Sequence, residues 1–204
     1  MKSLLNYKTA IYIIPFSLGL LTSFSLPPYN YLIVNFFTFP ILLLLIIYNF
    51  KTKWNSFIIG WSFGFGYFIS NIYWITNSLT YDEIFKPLIP ITFIVIPLFL
   101  GSFYGFATLV SSFFKLKKNI NSILIFAVIL SLIEFIRGFI FGGFPWNLIV
   151  YSWTNYLNSI QIISSIGTYS FNLLSITIFL LPTTIFFNKK LIFKISVLLL
   201  LFII

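Results

Sequence analysis

Cysteine and histidine are both absent from the 204 residues, and only three side chains are acidic: Asp82, Glu83 and Glu134. Without cysteine, these residues hold no disulfide, no thiolate metal site and no cysteine nucleophile. Asp82 and Glu83 are adjacent, so on a helix they point apart, and two carboxylates are too few for a calcium site. They read as part of a solvated loop from Asn77 to Lys86. No metal and no cofactor is expected. Charge of either sign is scarce, at 7% of residues against roughly 25% in an ordinary soluble domain.

Apolar residues fill the space that charge leaves, at 60% of the chain. Continuous apolar runs such as 41–47 and 198–204 exclude a lipid-facing barrel, whose strands alternate apolar and polar residues. The expected fold is an all-α integral membrane protein. A span needs about 20 residues, so the chain holds a bundle of about seven transmembrane helices. They are expected near 9–26, 31–50, 55–76, 87–114, 120–141, 159–187 and 191–204. Pro27-Pro28-Tyr29-Asn30 turns the chain after the first span, which reads as a signal-anchor behind Lys2 and Lys8. Gly167 is expected to divide the long sixth stretch into a short shallow piece and a full span.

The net charge of +9 is distributed as a membrane topology, not as a nucleic-acid surface. With the N-terminus inside, the inner segments hold Lys2, Lys8, Lys51, Lys53, Lys115, Lys117, Lys118, Lys189, Lys190 and Lys194, whereas the outer loops hold Lys86 alone. Positively charged residues favour the cytoplasmic side, so the N-terminus is expected there and no nucleic acid partner is expected. Two spans carry small residues at helical spacing: Gly60, Gly64 and Gly66 in the third, Gly101 and Gly105 in the fourth. Small residues four apart let a neighbouring backbone approach closely, and these five are read as helix-packing positions.

The most informative stretch runs from Leu130 to Trp153. Glu134 and Arg137 are the two charges deep inside a hydrophobic segment. A lone charge at mid-membrane costs about 2.5–3.5 kcal/mol on insertion scales, and at i,i+3 on one helical face these two can neutralise each other. An ion pair that orients helix packing and a functional pair both fit. Gly142-Gly143 is expected to break the helix, and Phe144-Pro145-Trp146-Asn147 follows without charge. Trp146, Tyr151, Trp153 and Tyr156 then come in quick succession. They fit either an interfacial aromatic belt or a partly re-entrant segment that contacts lipid. Glu134, Arg137, Gly143, Phe144, Pro145 and Trp146 are the candidate residues for lipid access or for docking another domain.

Several pieces, in order, resemble the bacterial apolipoprotein N-acyltransferases. They are Leu26-Pro27-Pro28-Tyr29, then Gly60-x-x-Phe63-Gly64-x-Gly66-x-Phe68 with Tyr73-Trp74, then Glu134-x-x-Arg137-Gly138 with Gly143-Phe144-Pro145-Trp146-Asn147-Leu148, and Gln161-x-x-Ser164-x-x-Gly167-x-Tyr169. Asn71 departs from the glycine more usual in that family. The resemblance implies a multi-pass enzyme of the bacterial inner membrane. Such an enzyme transfers an acyl chain from a membrane phospholipid to the N-terminal amine of a diacylated lipoprotein. It also implies that a glutamate, a lysine and a cysteine in a periplasmic nitrilase-like domain do the chemistry through a thioester. The 204 residues are expected to lack that domain, to contain no catalytic residue, and to depend on it or on a separately encoded catalytic chain. Two other readings are a small permease or substrate-binding membrane subunit, and a scaffold for a separate catalytic chain.

Overall fold

The computed structural model describes residues 9–48 and 52–187. Lys2, Lys8, Lys51, Lys189, Lys190, Lys194 and the span expected at 191–204 lie outside the described residues. Among those described, every regular element is helical. A π-helical turn over Thr9–Ile13 leads into α1 (Ile14–Ser23), and α2 (Asn35–Tyr48) and α3 (Lys53–Asn71) follow. Short 3-10 turns over Tyr73–Thr80 and Glu83–Leu88 lead to α4 (Ile89–Phe113) and then α5 (Ile120–Arg137). The remainder is α6 (Leu157–Ile160), α7 (Ile162–Ile166), α8 (Thr168–Leu180) and α9 (Thr184–Phe187).

Among the described residues, three helical stretches are long and apolar enough to cross a membrane: Glu83–Phe113, Ile120–Arg137 and Thr168–Phe187. They overlap the expected fourth, fifth and sixth spans. The expected first and second spans correspond to shorter apolar helices, Ile11–Ser23 and Leu32–Tyr48. Two expected ends move. The third span stops at Asn71, not Thr76, and the fifth at Arg137, not Phe141. In the fifth, Gly138 caps the helix with its N–H directed at the carbonyls of Glu134, Phe135 and Ile136, four residues before the glycine pair expected to break it. Gly167, at φ +81, separates α7 from α8.

The helix starts follow from local chemistry. Thr52 precedes α3 and its Oγ1 accepts the N–H of Asn55 at 3.2 Å; Asn119 precedes α5 and its Oδ1 accepts the N–H of Ser122 at 3.1 Å. Each satisfies an amide that the first helical turn leaves without a partner. In the loop before α4 Asp82 accepts from Ile84 N–H at 3.0 Å, and Glu83 pairs with Lys86 at the surface.

Helix α3 is the centre of the bundle, packed most extensively on α4 and next on α1. Glycine makes both approaches possible. A Cβ on Gly64 would lie 2.8 Å from Gly101 Cα, and one on Gly101 would lie 2.8 Å from Phe65 N. The two backbones touch where these residues face each other, so no larger side chain fits. Gly60 faces Thr108 and the carbonyl of Tyr104, and Gly66 faces the Phe16 carbonyl on α1. Gly105 instead faces the ring of Phe57, a side chain with room to move. Such contacts supply the dispersion attraction that holds helices together where lipid removes the usual hydrophobic drive.

Candidate functional site

Glu134 and Arg137 lie one turn apart at the end of α5, and each is 1% exposed. Their closest charged atoms, Arg137 Nη2 and Glu134 Oε1, are 3.9 Å apart, the outer limit of an ion pair. Each has stronger ties to other elements. Glu134 Oε1 accepts from the Tyr104 hydroxyl of α4 at 2.7 Å, and Oε2 accepts from Asn172 Nδ2 of α8. Asn172 Oδ1 in turn accepts the N–H of Val150 at 2.9 Å. One carboxylate therefore joins α4, α5 and α8, and through Asn172 the segment after the glycine pair.

Arg137 holds the other half of that segment. Its Nη1 donates to the carbonyl of Phe144 at 2.8 Å and to that of Trp146 at 3.0 Å, while the Phe144 N–H donates back to the Arg137 carbonyl at 3.1 Å. The guanidinium carbon stands 5.2 Å from the centroid of the Phe68 ring and 5.8 Å from that of Phe144. A cation against aromatic faces, with carbonyl oxygens as acceptors, is far better accommodated in an apolar interior than a bare charge. The tight return over 142–144 needs glycine: Gly143 has φ +80, and a Cβ there would approach the Gly138 carbonyl to 2.6 Å. Tyr67 of α3 completes the clamp, its hydroxyl donating to the Asn147 carbonyl at 2.9 Å.

The four aromatics of the exit segment do not share one environment. Trp153 is 2% exposed and stacks on Phe179 with ring centroids 5.6 Å apart, and Leu148, Ile149 and Val150 are buried beside it. This part belongs to the core. Trp146 is 57% exposed and meets Trp74 edge to face at 6.0 Å, with Pro145 and Tyr73 exposed alongside. The Pro27-Pro28 turn reaches the same end, where Thr154 Oγ1 donates to Asn30 Oδ1 at 3.1 Å. Tyr169 packs against Phe135 at 5.0 Å and covers Gly138. Of the pieces that carry the resemblance, the Pro27-Pro28 turn, Phe68, Tyr73-Trp74, the stretch from Glu134 to Leu148 and Tyr169 are gathered at one end of the bundle.

The structure thus unites Glu134, Arg137, Gly143, Phe144, Pro145 and Trp146, and sets Gly60, Gly64, Gly66, Gly101 and Gly105 apart along the α1, α3 and α4 contacts. Sequence reasoning missed Tyr67, Phe68, Trp74, Tyr104 and Asn172 as partners of the site. Phe68 and Trp74 stand in the pieces that carry the resemblance, and a signal existed for two of the others. Tyr104 lies between the paired glycines of α4, and Asn172 is the one amide side chain in the apolar run 168–187. Among the described residues no three acidic, histidine or cysteine side chains gather as a metal site would require.

Residues 18–181 match the family described as the apolipoprotein N-acyltransferase N-terminal domain. The chain is 32% identical over 173 residues to the apolipoprotein N-acyltransferase of Brucella melitensis, across 80% of this chain and 32% of that protein. It is 31% identical over 183 residues to that of Sinorhizobium medicae, across 85% and 34%. With that of Rhodopseudomonas palustris the identity is 34% over 172 residues, across 82% and 32%. The chain spans about one third of the length of the curated relatives it matches.

Proposed function

Because the chain belongs to the apolipoprotein N-acyltransferase N-terminal domain family, we propose that these residues form the membrane portion of an enzyme that acylates lipoproteins. The acyl donor is a membrane phospholipid, and the acceptor is the N-terminal amine of a diacylglyceryl-cysteine. The portion is multi-pass in a bacterial inner membrane, with seven spans, a cytoplasmic N-terminus and the aromatic end on the periplasmic side.

Acyl transfer through a thioester needs a thiol that attacks the phospholipid ester and releases a lysophospholipid. The lipoprotein amine then attacks the thioester, forms the amide and regenerates the thiol. These 204 residues hold no cysteine. The thiol, with its glutamate and lysine, is supplied by residues other than these, in a nitrilase-like domain or a separate chain, and the 204 residues alone are inactive. Their part is to anchor that chemistry at the membrane surface and to shape how lipid reaches it from the side.

The observation that carries this reading is the exposed Trp146 and Trp74 shelf, held by the buried Arg137 at the end opposite the exposed Lys53, Lys115, Lys117 and Lys118. Aromatic side chains at headgroup depth suit contact with lipid chains as they leave the bilayer. Glu134 and Arg137, being buried, act by positioning this shelf. The test is phospholipid-dependent acylation of a diacyl lipopeptide in vesicles by these residues together with the nitrilase-like domain or chain that supplies the thiol. Product formed with wild-type protein and strongly reduced with Trp146→Ala supports the proposal; no product with well-folded wild-type protein overturns it.

A further inference from the structure

The end of the bundle away from the aromatic shelf carries its own construction. The start of α3 and the turn between α4 and α5 lie there, each against the end of another helix. Lys53, at the start of α3, has its Nζ 3.7 Å from the centroid of the Phe113 ring at the end of α4. Lys118, just before α5, has its Nζ 4.3 Å from the centroid of the Tyr48 ring at the end of α2. The start of α3, the ends of α2 and α4 and the turn before α5 therefore form one surface. Lys115 and Lys117 are exposed on the same turn. That turn is fixed: the Lys117 N–H donates to Ser122 Oγ at 2.8 Å, and Ser122 Oγ donates to Asn119 Oδ1 at 3.0 Å.

Four ammonium groups are thus assembled without a carboxylate among them. Asp82 and Glu83 lie beyond the opposite end of α4, where Glu83 is paired with Lys86, and Glu134 is buried near the far end of α5. Like charges so placed repel one another unless anions gather on them. The rim identifies the anion. Trp54, 64% exposed, stacks on Phe57 at 5.1 Å beside Lys53, and Phe113 and Phe114 are 58% and 57% exposed. A free phosphate has no use for an aromatic rim, whereas a lipid places its phosphate among the cations and its chains against the rings. We infer that this surface binds anionic phospholipid headgroups, with Lys53, Lys115, Lys117 and Lys118 around the phosphate and Trp54 and Phe113 against the upper acyl chains. The inference concerns the end opposite the shelf and stands independently of the acyl-transfer reading.

Trp54 provides the readout. The intact protein is reconstituted in phosphatidylcholine vesicles containing brominated phosphatidylglycerol or brominated phosphatidylcholine, and quenching at Trp54 is isolated by difference from Trp54→Phe. Each engaged lysine favours an anionic headgroup by about fivefold, so phosphatidylglycerol should be preferred at Trp54 by about fivefold or more at low salt. The preference should shrink as salt is raised, fall toward one when the four lysines are changed to glutamine, and survive their change to arginine. A wild-type ratio near one overturns the inference. An elevated ratio that ignores salt, or that the glutamine variant retains, overturns the assignment to these lysines. The wild-type salt series and the arginine variant decide the matter even if the glutamine variant does not fold.

Discussion

Arg137 and Trp146 are joined through the backbone: the buried guanidinium donates to the Trp146 carbonyl at 3.0 Å, while the Trp146 indole stands at the surface against Trp74. A buried residue thereby fixes the backbone that carries an exposed one. Nine positions of chain, including a glycine pair with positive φ at both residues, would otherwise leave that ring free to wander.

Replacing Arg137 by Met leaves two carbonyls and the Glu134 carboxylate without their cation. Removing one partner of a buried pair costs on the order of 3–5 kcal/mol, so folded yield and thermal stability in detergent should fall. The Glu134→Gln, Arg137→Met double variant should recover part of the loss. Unchanged thermal stability in Arg137→Met would show that the clamp contributes little to folding.

Trp146→Ala and Trp74→Ala should fold normally, because both rings are exposed, and should lower acyl transfer by the intact enzyme. Their effects should be less than additive, since either change dismantles the same edge-to-face contact. Full additivity, or wild-type rates in both, would separate the two rings from a shared role.

Tyr104→Phe and Asn172→Leu each remove a hydrogen bond to the Glu134 carboxylate, and bonds to a charged group contribute about 1.5–3 kcal/mol. Asn172→Leu should cost more, because it also leaves the Val150 N–H buried without an acceptor. Calorimetric melting of both variants tests the order; a larger loss in Tyr104→Phe would reverse the assignment.

Gly64→Ala and Gly105→Ala should part company. The first forces a methyl against the backbone of Gly101, with an overpacking cost of about 1–3 kcal/mol, while the second meets only the Phe57 ring, which can turn aside. Equal melting temperatures for the two would contradict the close approach of α3 and α4.

Cysteines introduced singly at Asn77 and Asn121, both exposed, should label from opposite faces of the membrane. With the N-terminus cytoplasmic, Asn77 reacts from the periplasm and Asn121 only after permeabilisation. Labelling of both from one face would refute the topology derived from the lysines.

The sequence by itself determined that the chain is helical and built for a membrane, because scarcity of charge and unbroken apolar runs act residue by residue and need no knowledge of neighbours. It also determined that Glu134 and Arg137 share a helical face, which of the glycines of α3 and α4 sit at contact spacing, and that Gly167 divides the last long stretch, since helical period and turn chemistry are local. Tertiary structure alone decided what those residues meet. The partners of Glu134 come from positions 30 residues before it and 38 after it. Arg137 keeps its expected partner at 3.9 Å and adds two carbonyls, placed as acceptors because Gly138 ends the helix and Gly143 folds the chain back. Trp146 and Trp153, alike in the sequence, were divided between surface and core by which helix lies opposite. For the two charged residues the physical reason is that a buried polar group draws its partners from wherever the packed helices offer them; for all three, periodicity within a single helix carries no record of the helix across from it.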